Sequence, residues 1–189
     1  MRSDENGLRE YGPEAPVPIS QYKKEFEPLL KLYKKIKPKR VLEIGTHYGG
    51  TLFHWAENCE PDTIIVTVDD YHINSDYYKE WQSNAIITPI LGKSQDEHVL
   101  WAAKMLAPYD WIFIDGGHTY EEVKADWLNY RELASNTSII AFHDILPHRN
   151  SEVCLLWKEI CAQDYATMEF VEDYEQAGCG IGVVFYDGA

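Results

Sequence analysis

The sequence predicts a doubly wound α/β fold, in which helices cover both faces of a seven-stranded, mostly parallel sheet. Short β-branched segments alternate with segments of helical periodicity along most of the chain. The loops that join these segments are short, as expected where each strand is followed directly by a helix. The last two predicted strands have no helix between them, so they should pair as a hairpin and add one antiparallel strand.

The composition is that of a globular domain with an acidic surface. The chain has 189 residues, of which 45% are hydrophobic, and a formal net charge of −14. This length is sufficient for one domain with a sizeable core. We expect that domain to span residues 20–189. Residues 1–19 are predicted to form an extended arm, because Pro13, Pro16 and Pro18 forbid a helix. The charge argues against nucleic acids and anionic membranes as partners, since both would repel the protein.

The sequence contains no targeting segment, membrane span or cysteine motif. The first residues lack the apolar core of a signal peptide, and no run approaches the roughly 18 apolar residues of a membrane span. The four cysteines form no Cys-x-x-Cys pair. Cys154 and Cys161 are seven residues apart, which is about two helical turns. This spacing predicts that both lie on one helix face and pack as small apolar residues. These features predict a cytoplasmic domain of enzyme size.

The N-terminal half contains the first three predicted strands. A helix is predicted over residues 20–36, because apolar residues recur on one face at Phe26, Leu29, Leu30, Tyr33 and Ile36. The elements that follow are strand 40–45, helix 50–59, strand 63–69, helix 75–84 and strand 85–91. The second strand is β-branched throughout, which predicts that it is buried on both faces.

The C-terminal half contains four strands and two capping boxes. Ser94 and Glu97 form the first capping box, which predicts a helix from Ser94 to Leu106. Thr119 and Glu122 form the second, which opens a helix after the fourth strand. The other predicted elements are strand 110–115, strand 138–143, helix 151–162, strand 167–172 and strand 180–186.

Candidate functional residues lie where the predicted strands end. In an open α/β sheet, ligands bind outside the carboxyl ends of the strands, near the switch in strand order. The polar residues and glycines at these ends are Glu43, Gly45, Asp69, Asp70, Gly92 to Ser94, Asp115 to His118, His143 and Asp144. Loops are usually polar, but so many carboxylates and imidazoles at the strand ends exceed what is expected of ordinary loops.

The turn over residues 41–51 predicts half of a binding site. Its glycines allow a tight turn and close approach to a ligand, and the following helix offers free N–H groups. Glu43 would repel a phosphate, which favours a cationic or donor-rich ligand. Gly45 and Gly49 lack the Gly-x-Gly-x-x-Gly spacing of dinucleotide-binding folds, which argues against that class of site. The segment ending at Ser94 resembles the end of a phosphate-binding P-loop, but Ile87 stands where that motif needs a glycine. The alternative is an ordinary strand-to-helix turn.

Asp115, His118, His143 and Asp144 form a second group. The fourth and fifth strands should be neighbours in the sheet, because sequential parallel strands usually are. Side chains of Asp and His that meet there could ligate a divalent cation: carboxylates favour magnesium, calcium or manganese, and the imidazole also admits manganese, iron or zinc. In the alternative interpretation, Asp115 caps a turn and His143 is a buried, hydrogen-bonded histidine.

The order of these motifs resembles that of the class I S-adenosylmethionine-dependent methyltransferases, over about residues 40–186. The shared features are Glu43-x-Gly45-x-x-x-Gly49, an acid at Asp69 and the terminal hairpin. The segments 113–126 (FIDGGHTYEEVKAD) and 140–145 (IAFHDI) are similar to those of macrocin-type sugar O-methyltransferases and cephalosporin-hydroxylase-like proteins. The resemblance implies a Rossmann-like fold and O-methylation of a hydroxyl on a small-molecule acceptor.

The resemblance also implies roles for individual residues. The residues it assigns to S-adenosylmethionine are Glu43, Gly45, Thr46, Gly49, Asp69, Asp70, Ser94, Gln95 and Asp115. It places Mg²⁺, or Mn²⁺, at Asp115, His143 and Asp144, although His143 stands where metal-dependent relatives carry an acidic or amide residue. The catalytic candidates are Asp115, His118 and His143, with His118 the best general base because its ordinary pKa lies near neutrality.

Three other functions compete with methyl transfer. A nicotinamide-dependent dehydrogenase lacks its glycine fingerprint here. A metal-dependent hydroxylase on the same scaffold would need different acceptor chemistry. A non-catalytic cofactor-binding or interaction protein would bind the cofactor without turnover. The acceptor pocket is expected to come from the N-terminal arm, residues 71–78, residues 146–150 or a second subunit in a homo-oligomer.

Overall fold

The computed structural model describes residues 19–71, 81 and 83–188. The predicted helix over residues 75–84 and the predicted N-terminal arm therefore lie almost wholly outside the described residues. The helices are α1 (Lys23–Ile36), α2 (Gly50–Glu57), α3 (Glu97–Met105), α4 (Tyr120–Tyr130) and α5 (Val153–Cys161), with a 3₁₀ turn at Arg131–Leu133. The strands are β1 (Arg40–Ile44), β2 (Ile64–Asp69), β3 (Ile86–Leu91), β4 (Tyr109–Ile114), β5 (Ala134–His143), β6 (Ala166–Phe170) and β7 (Ile181–Tyr186).

The strands form one seven-stranded sheet in the order β3-β2-β1-β4-β5-β7-β6. The pairs among β1 to β5 are parallel, whereas β7 pairs antiparallel with both β5 and β6. This arrangement confirms the predicted fold class, including the single antiparallel strand supplied by the terminal hairpin. The switch in strand order lies between β1 and β4, so the carboxyl ends of these two strands border the crevice in which such folds bind ligands.

Two apolar clusters cover the two faces of the sheet. On one face α1 and α2 supply Phe26, Leu29, Tyr33, Leu52 and Trp55, which are fully buried. On the other face α3, α4 and α5 supply side chains such as Val99, Trp127 and Trp157. Strand β2 is buried along its centre, as its β-branched composition predicts. Helices α2 and α4 join neighbouring parallel strands, whereas the connection through α3 crosses from β3 to β4 and creates the switch in strand order at which the site lies.

Several local predictions need correction. Helix α3 begins at Glu97 with Asp96 as its N-cap, so the predicted capping box at Ser94 is wrong; the α4 capping box is confirmed. Cys154 is buried but Cys161 is exposed, because it falls in the last turn of α5, beyond the cover of the core. Ile36, predicted on the apolar face, is the last residue of α1 and is 41% exposed.

Among the described residues, no helix is long and apolar enough to cross a membrane.

Candidate active site

A cavity of about 560 Å³ opens at the carboxyl ends of the parallel strands. Its volume lies within the range of small-molecule sites. The predicted site residues that line it are Gly45, Thr46, Asp69, Asp70, Ser94, Gln95, Asp115, His118, His143 and Asp144. Glu43 and Gly49 are not among the lining residues. The fold therefore joins the two groups of residues identified in the sequence into one cavity.

Gly45 allows the ends of β1 and β4 to approach each other closely. Its φ is +89°, and a Cβ at this position would lie 2.0 Å from the carbonyl oxygen of Asp115. A side chain is therefore excluded both by backbone conformation and by space. Gly49, with φ +85°, ends the turn and serves as the N-cap of α2. The turn thus presents its backbone directly to the cavity.

Asp69 fixes the shape of this turn. Its Oδ2 accepts hydrogen bonds from the backbone N–H groups of Thr46 and His47, each at 2.8 Å, and its Oδ1 accepts from Tyr71 N at 2.9 Å. Among the described residues no other donor contacts Oδ1, so one of its lone pairs can accept from a ligand hydroxyl. The adjacent Asp70 is exposed and also lines the cavity. The end of β2 therefore offers two carboxylates, of which one is largely engaged by the protein.

Glu43 lies behind the wall of the cavity. It is fully buried, and its carboxyl group accepts hydrogen bonds from Thr67 Oγ1 at 2.9 Å and Trp55 Nε1 at 3.2 Å. Burial raises the pKa of Glu43 to about 8, despite hydrogen bonds from Thr51 and Thr67 that act in the opposite direction. A carboxyl group with this pKa is protonated at neutral pH. The sequence argument from its negative charge is therefore not supported.

Gln95 is held by a buried carboxylate from α4. Its Nε2 donates to Asp126 Oδ1 at 2.7 Å, and Asp126 is fully buried. Burial raises the pKa of Asp126 to about 6, and hydrogen bonds from Ser94 and Gln95 oppose this shift. Ser94 also accepts a hydrogen bond on its carbonyl oxygen from Tyr130, at 2.6 Å. Hydrogen bonds with Asp126 and Tyr130 of α4 thus hold the turn after β3 in place.

The ends of β4 and β5 bring the second group of residues together. His143 Nδ1 lies 3.0 Å from Asp115 Oδ1 and 3.5 Å from Asp144 Oδ1. Asp144 Oδ2 lies 2.9 Å from His118 Nε2, and Asp144 Oδ1 accepts a hydrogen bond from Cys179 N at 3.0 Å. Asp144 adopts a left-handed φ of +61°. The result is a chain of two carboxylates and two imidazoles along one wall of the cavity.

Mutual contacts shift the pKa values in this chain. Burial alone would lower the pKa of His143, but the charges of Asp115 and Asp144 outweigh it and raise that pKa well above its ordinary value. The hydrogen bond from Asp144 raises the pKa of His118 as well. Burial raises the pKa of Asp144, yet His143 and His118 prevail and hold it well below its usual range. The two carboxylates therefore favour the protonated form of His143.

Sequence reasoning missed two residues that touch this wall. Gln21, just before α1, donates from Nε2 to Asp115 Oδ2 at 2.5 Å. Cys179, in the connection between β6 and β7, lines the cavity beside Asp144. The glycines on either side of Cys179 were a signal that this connection makes an unusual turn. No sequence signal links Gln21 to Asp115, because 94 residues separate them.

The predicted metal ligands are only partly brought together. Among the described residues, ligand atoms within 4.8 Å of one another belong to His143, Asp144 and Cys179. Asp115, from the predicted set, is not in this group. One oxygen of Asp115 and one of Asp144 face the Nδ1 atom of His143.

Comparison with known proteins identifies the family. A family profile described as a methyltransferase domain matches residues 42–145, which is more than half of the chain. The chain belongs to the methyltransferase domain family. The chain is also 24% identical over 147 residues to the uncharacterized protein y4gI of Sinorhizobium fredii (strain NBRC 101917 / NGR234). That match covers 69% of the chain and only 16% of the relative, so the chain spans a small part of that protein's length.

Solved structures share the fold of the methyltransferase. The O-methyltransferase TomG of Streptomyces achromogenes, in complex with SAM, superposes with a TM-score of 0.71 at 17% identity, over 86% of this chain and 79% of TomG. A putative caffeoyl-CoA O-methyltransferase of Staphylococcus aureus gives 0.66 at 18% identity, covering 90% and 86%. MycE of the mycinamycin pathway, in complex with Mg and SAH, gives 0.59 at 18% identity, covering 85% and 48%. The inferred resemblance to class I methyltransferases is confirmed.

Proposed function

We propose that this methyltransferase transfers the methyl group of S-adenosylmethionine to a hydroxyl group of a small-molecule acceptor. The observation that carries the proposal is the pairing of His118 with Asp144 in the same cavity as the Gly45 turn. A base and a cofactor-binding turn in one cavity are what methyl transfer to a hydroxyl requires. O-methyltransferases among the solved structures with this fold support the same chemistry.

The cofactor would occupy the half of the cavity between β1 and β3. The backbone of the Gly45 turn would contact its methionine part, and Asp70, with the last lone pair of Asp69, would accept hydrogen bonds from the ribose hydroxyls. Asp126 binds the amide nitrogen of Gln95, which leaves the Gln95 oxygen to accept a hydrogen bond from the adenine amine. When bound, S-adenosylmethionine supplies a methyl group on a positively charged sulfur, and S-adenosylhomocysteine remains after transfer.

His118 would act as the general base. Its Nε2 is bonded to Asp144, which fixes the tautomer with the proton on Nε2, and none of the described residues bonds to Nδ1, which can then take the acceptor's proton. Asp144 raises the pKa of His118, so the imidazole is a stronger base than an isolated histidine. At 46% exposure, its side chain can reach a substrate in the cavity. As His118 takes the proton, the acceptor oxygen attacks the methyl carbon in line with the departing sulfur, and positioning supplies much of the rate.

His143 and Asp115 would hold the base and the acceptor in place. His143 is 5% exposed and lies between the two carboxylates, so it neutralises a pair that would otherwise repel each other. The carboxylates of Asp115 and Asp144 raise the pKa of His143 and favour its protonated form, which makes it a poor candidate for the base. We therefore assign it an orienting role, and Asp115 the role of positioning the acceptor hydroxyl.

The donor atoms of the site fit a magnesium or manganese ion poorly. These ions prefer oxygen ligands, whereas the residues whose ligand atoms lie close together include an imidazole and a thiol. One oxygen of Asp115 and one of Asp144 face His143, and their other oxygens contact Gln21 and His118. The proposed mechanism therefore uses only the protein's own groups, and a chelator should leave the rate unchanged. Loss of activity with a chelator, restored by Mg²⁺ or Mn²⁺, would contradict this part.

Binding and turnover test the proposal separately. Calorimetry with S-adenosylhomocysteine should show one site per chain, and no binding would overturn the proposal. Release of S-adenosylhomocysteine is then followed with a panel of sugar, phenol and small aliphatic alcohols. His118→Ala should lower kcat about a hundredfold or more and leave cofactor binding intact. His98→Ala, which changes an exposed histidine outside the cavity, is the matched control. Binding with no turnover on any acceptor would favour the non-catalytic alternative.

A further inference from the structure

The segment before α1 places a buried amide against a carboxylate of the site. Gln21 is 2% exposed, and its Nε2 donates to Asp115 Oδ2 at 2.5 Å. The other oxygen of Asp115 faces His143 Nδ1 at 3.0 Å. Asp115 is thus held from two sides, by the N-terminal segment and by β5. Gln21 lies outside residues 42–145, which the methyltransferase family profile covers.

The first turn of α1 is fixed in place by a second buried residue. Glu25 is fully buried, and its carboxylate accepts hydrogen bonds from Glu172 N at 3.1 Å, Gln176 Nε2 at 2.7 Å and Gly180 N at 2.9 Å. Lys24 pairs with Glu172 at 2.6 Å on the surface above it. The connection between β6 and β7 therefore anchors this turn, so Gln21 sits on a fixed support.

Gln21 is a poor choice for stability alone. Its Oε1 is buried and has no hydrogen-bond partner among the described groups. An unpaired buried amide oxygen costs free energy that an apolar side chain of the same size would not. Asp115 lies at the cavity, with its side chain 15% exposed, so water can replace the amide as a partner for Oδ2. Folding stability therefore does not account for the glutamine, whereas its hydrogen bond orients the Asp115 carboxylate.

We propose that Gln21 is a positioning residue of the methyltransferase site, which holds the Asp115 carboxylate against His143 in the orientation that methyl transfer needs. The N-terminal segment and α1 are on this view part of the active site and not only a cover for the sheet. The catalytic consequence rests on the proposed function. The contact between Asp115 and His143, by contrast, can be observed without any substrate.

The test is Gln21→Leu, with Gln163→Leu as the control. Gln163 is an exposed glutamine beyond α5, so the same change is made away from the site. We expect Gln21→Leu to keep or raise the melting temperature, lower kcat about tenfold or more and change KM for S-adenosylmethionine little. A purely structural role would instead lower the melting temperature together with the activity.

A spectroscopic readout makes the outcome independent of turnover. The Nδ1–H proton of His143, observed in protein with ¹⁵N-labelled histidine, should shift or broaden in Gln21→Leu and stay unchanged in Gln163→Leu. An unchanged His143 signal in Gln21→Leu, or an unchanged kcat, would overturn the proposal. Absence of S-adenosylhomocysteine binding by the wild type would overturn the proposed function instead, and the His143 signal would still decide the role of Gln21.

Discussion

Replacement of Glu43 by glutamine should change how the stability of the protein depends on pH. The ordinary pKa of the glutamate is 4.5, and burial raises it to about 8 in the folded protein. Between these values the folded state keeps a proton that the unfolded chain has released, so stability falls as pH rises through this window. Above about pH 8 both states are deprotonated and the loss is complete. The glutamine of the Glu43→Gln variant would mimic the protonated form, so the variant has no such loss.

The linkage relation gives the size of the effect. Between pH 5.5 and pH 8.5, ionisation of the buried Glu43 should lower the free energy of unfolding of the wild type by about 3 kcal/mol. The Glu43→Gln variant should show no such decrease. A glutamine can accept from Trp55 Nε1 with its oxygen and donate to Thr67 Oγ1, which then uses its own proton elsewhere, so the site remains satisfied. The two proteins should therefore be closest in stability at low pH.

Urea unfolding at several pH values measures this difference. The wild-type curve of unfolding free energy against pH should fall below that of Glu43→Gln as pH rises. Glu97→Gln, which removes an exposed carboxylate at the start of α3, should keep the wild-type pH dependence. Parallel curves for the wild type and Glu43→Gln would show that Glu43 is ionised throughout, and the assignment of a neutral buried carboxyl group would be refuted.

Two further predictions concern the site. Asp144→Asn removes the partner that raises the pKa of His118, so the acid limb of the kcat/KM profile should move to lower pH while the maximum rate falls; an unmoved limb would show that His118 is not the base. Gly45→Ala should destabilise the protein by roughly 3 kcal/mol or more in urea unfolding, because its Cβ would lie 2.0 Å from a carbonyl oxygen. Gly188→Ala also has a positive φ, but its nearest neighbour is 3.4 Å away, so we expect only about 1 kcal/mol. Equal losses in the two variants would contradict the steric argument.

The sequence predicted the fold, and it predicted many of the residues that line the cavity, because both depend on local patterns. Strand and helix periodicity, together with the rule that ligands bind at the carboxyl ends of parallel strands, identified Asp69, Asp115 and His118 without any coordinates. The capping box at Thr119 was confirmed because its two partners lie within one helical turn. The predicted capping box at Ser94 was wrong because Ser94 forms hydrogen bonds with Tyr130 and Asp126 of α4 instead.

Tertiary structure alone decided the ionisation of the site and its N-terminal support. Burial is a property of the packed core, so no motif shows that Glu43 lies behind the cavity wall or that its pKa is raised. The position of His143 between two carboxylates depends on the register of β4 and β5, which pairs Ile114 with Phe142 and so brings Asp115 beside His143. The contact of Gln21 with Asp115 joins residues 94 positions apart, and only the packing of α1 on the sheet brings them together. Sequence patterns supplied the chemical groups, and the long-range packing determined which of them carry charge and which hold others in place.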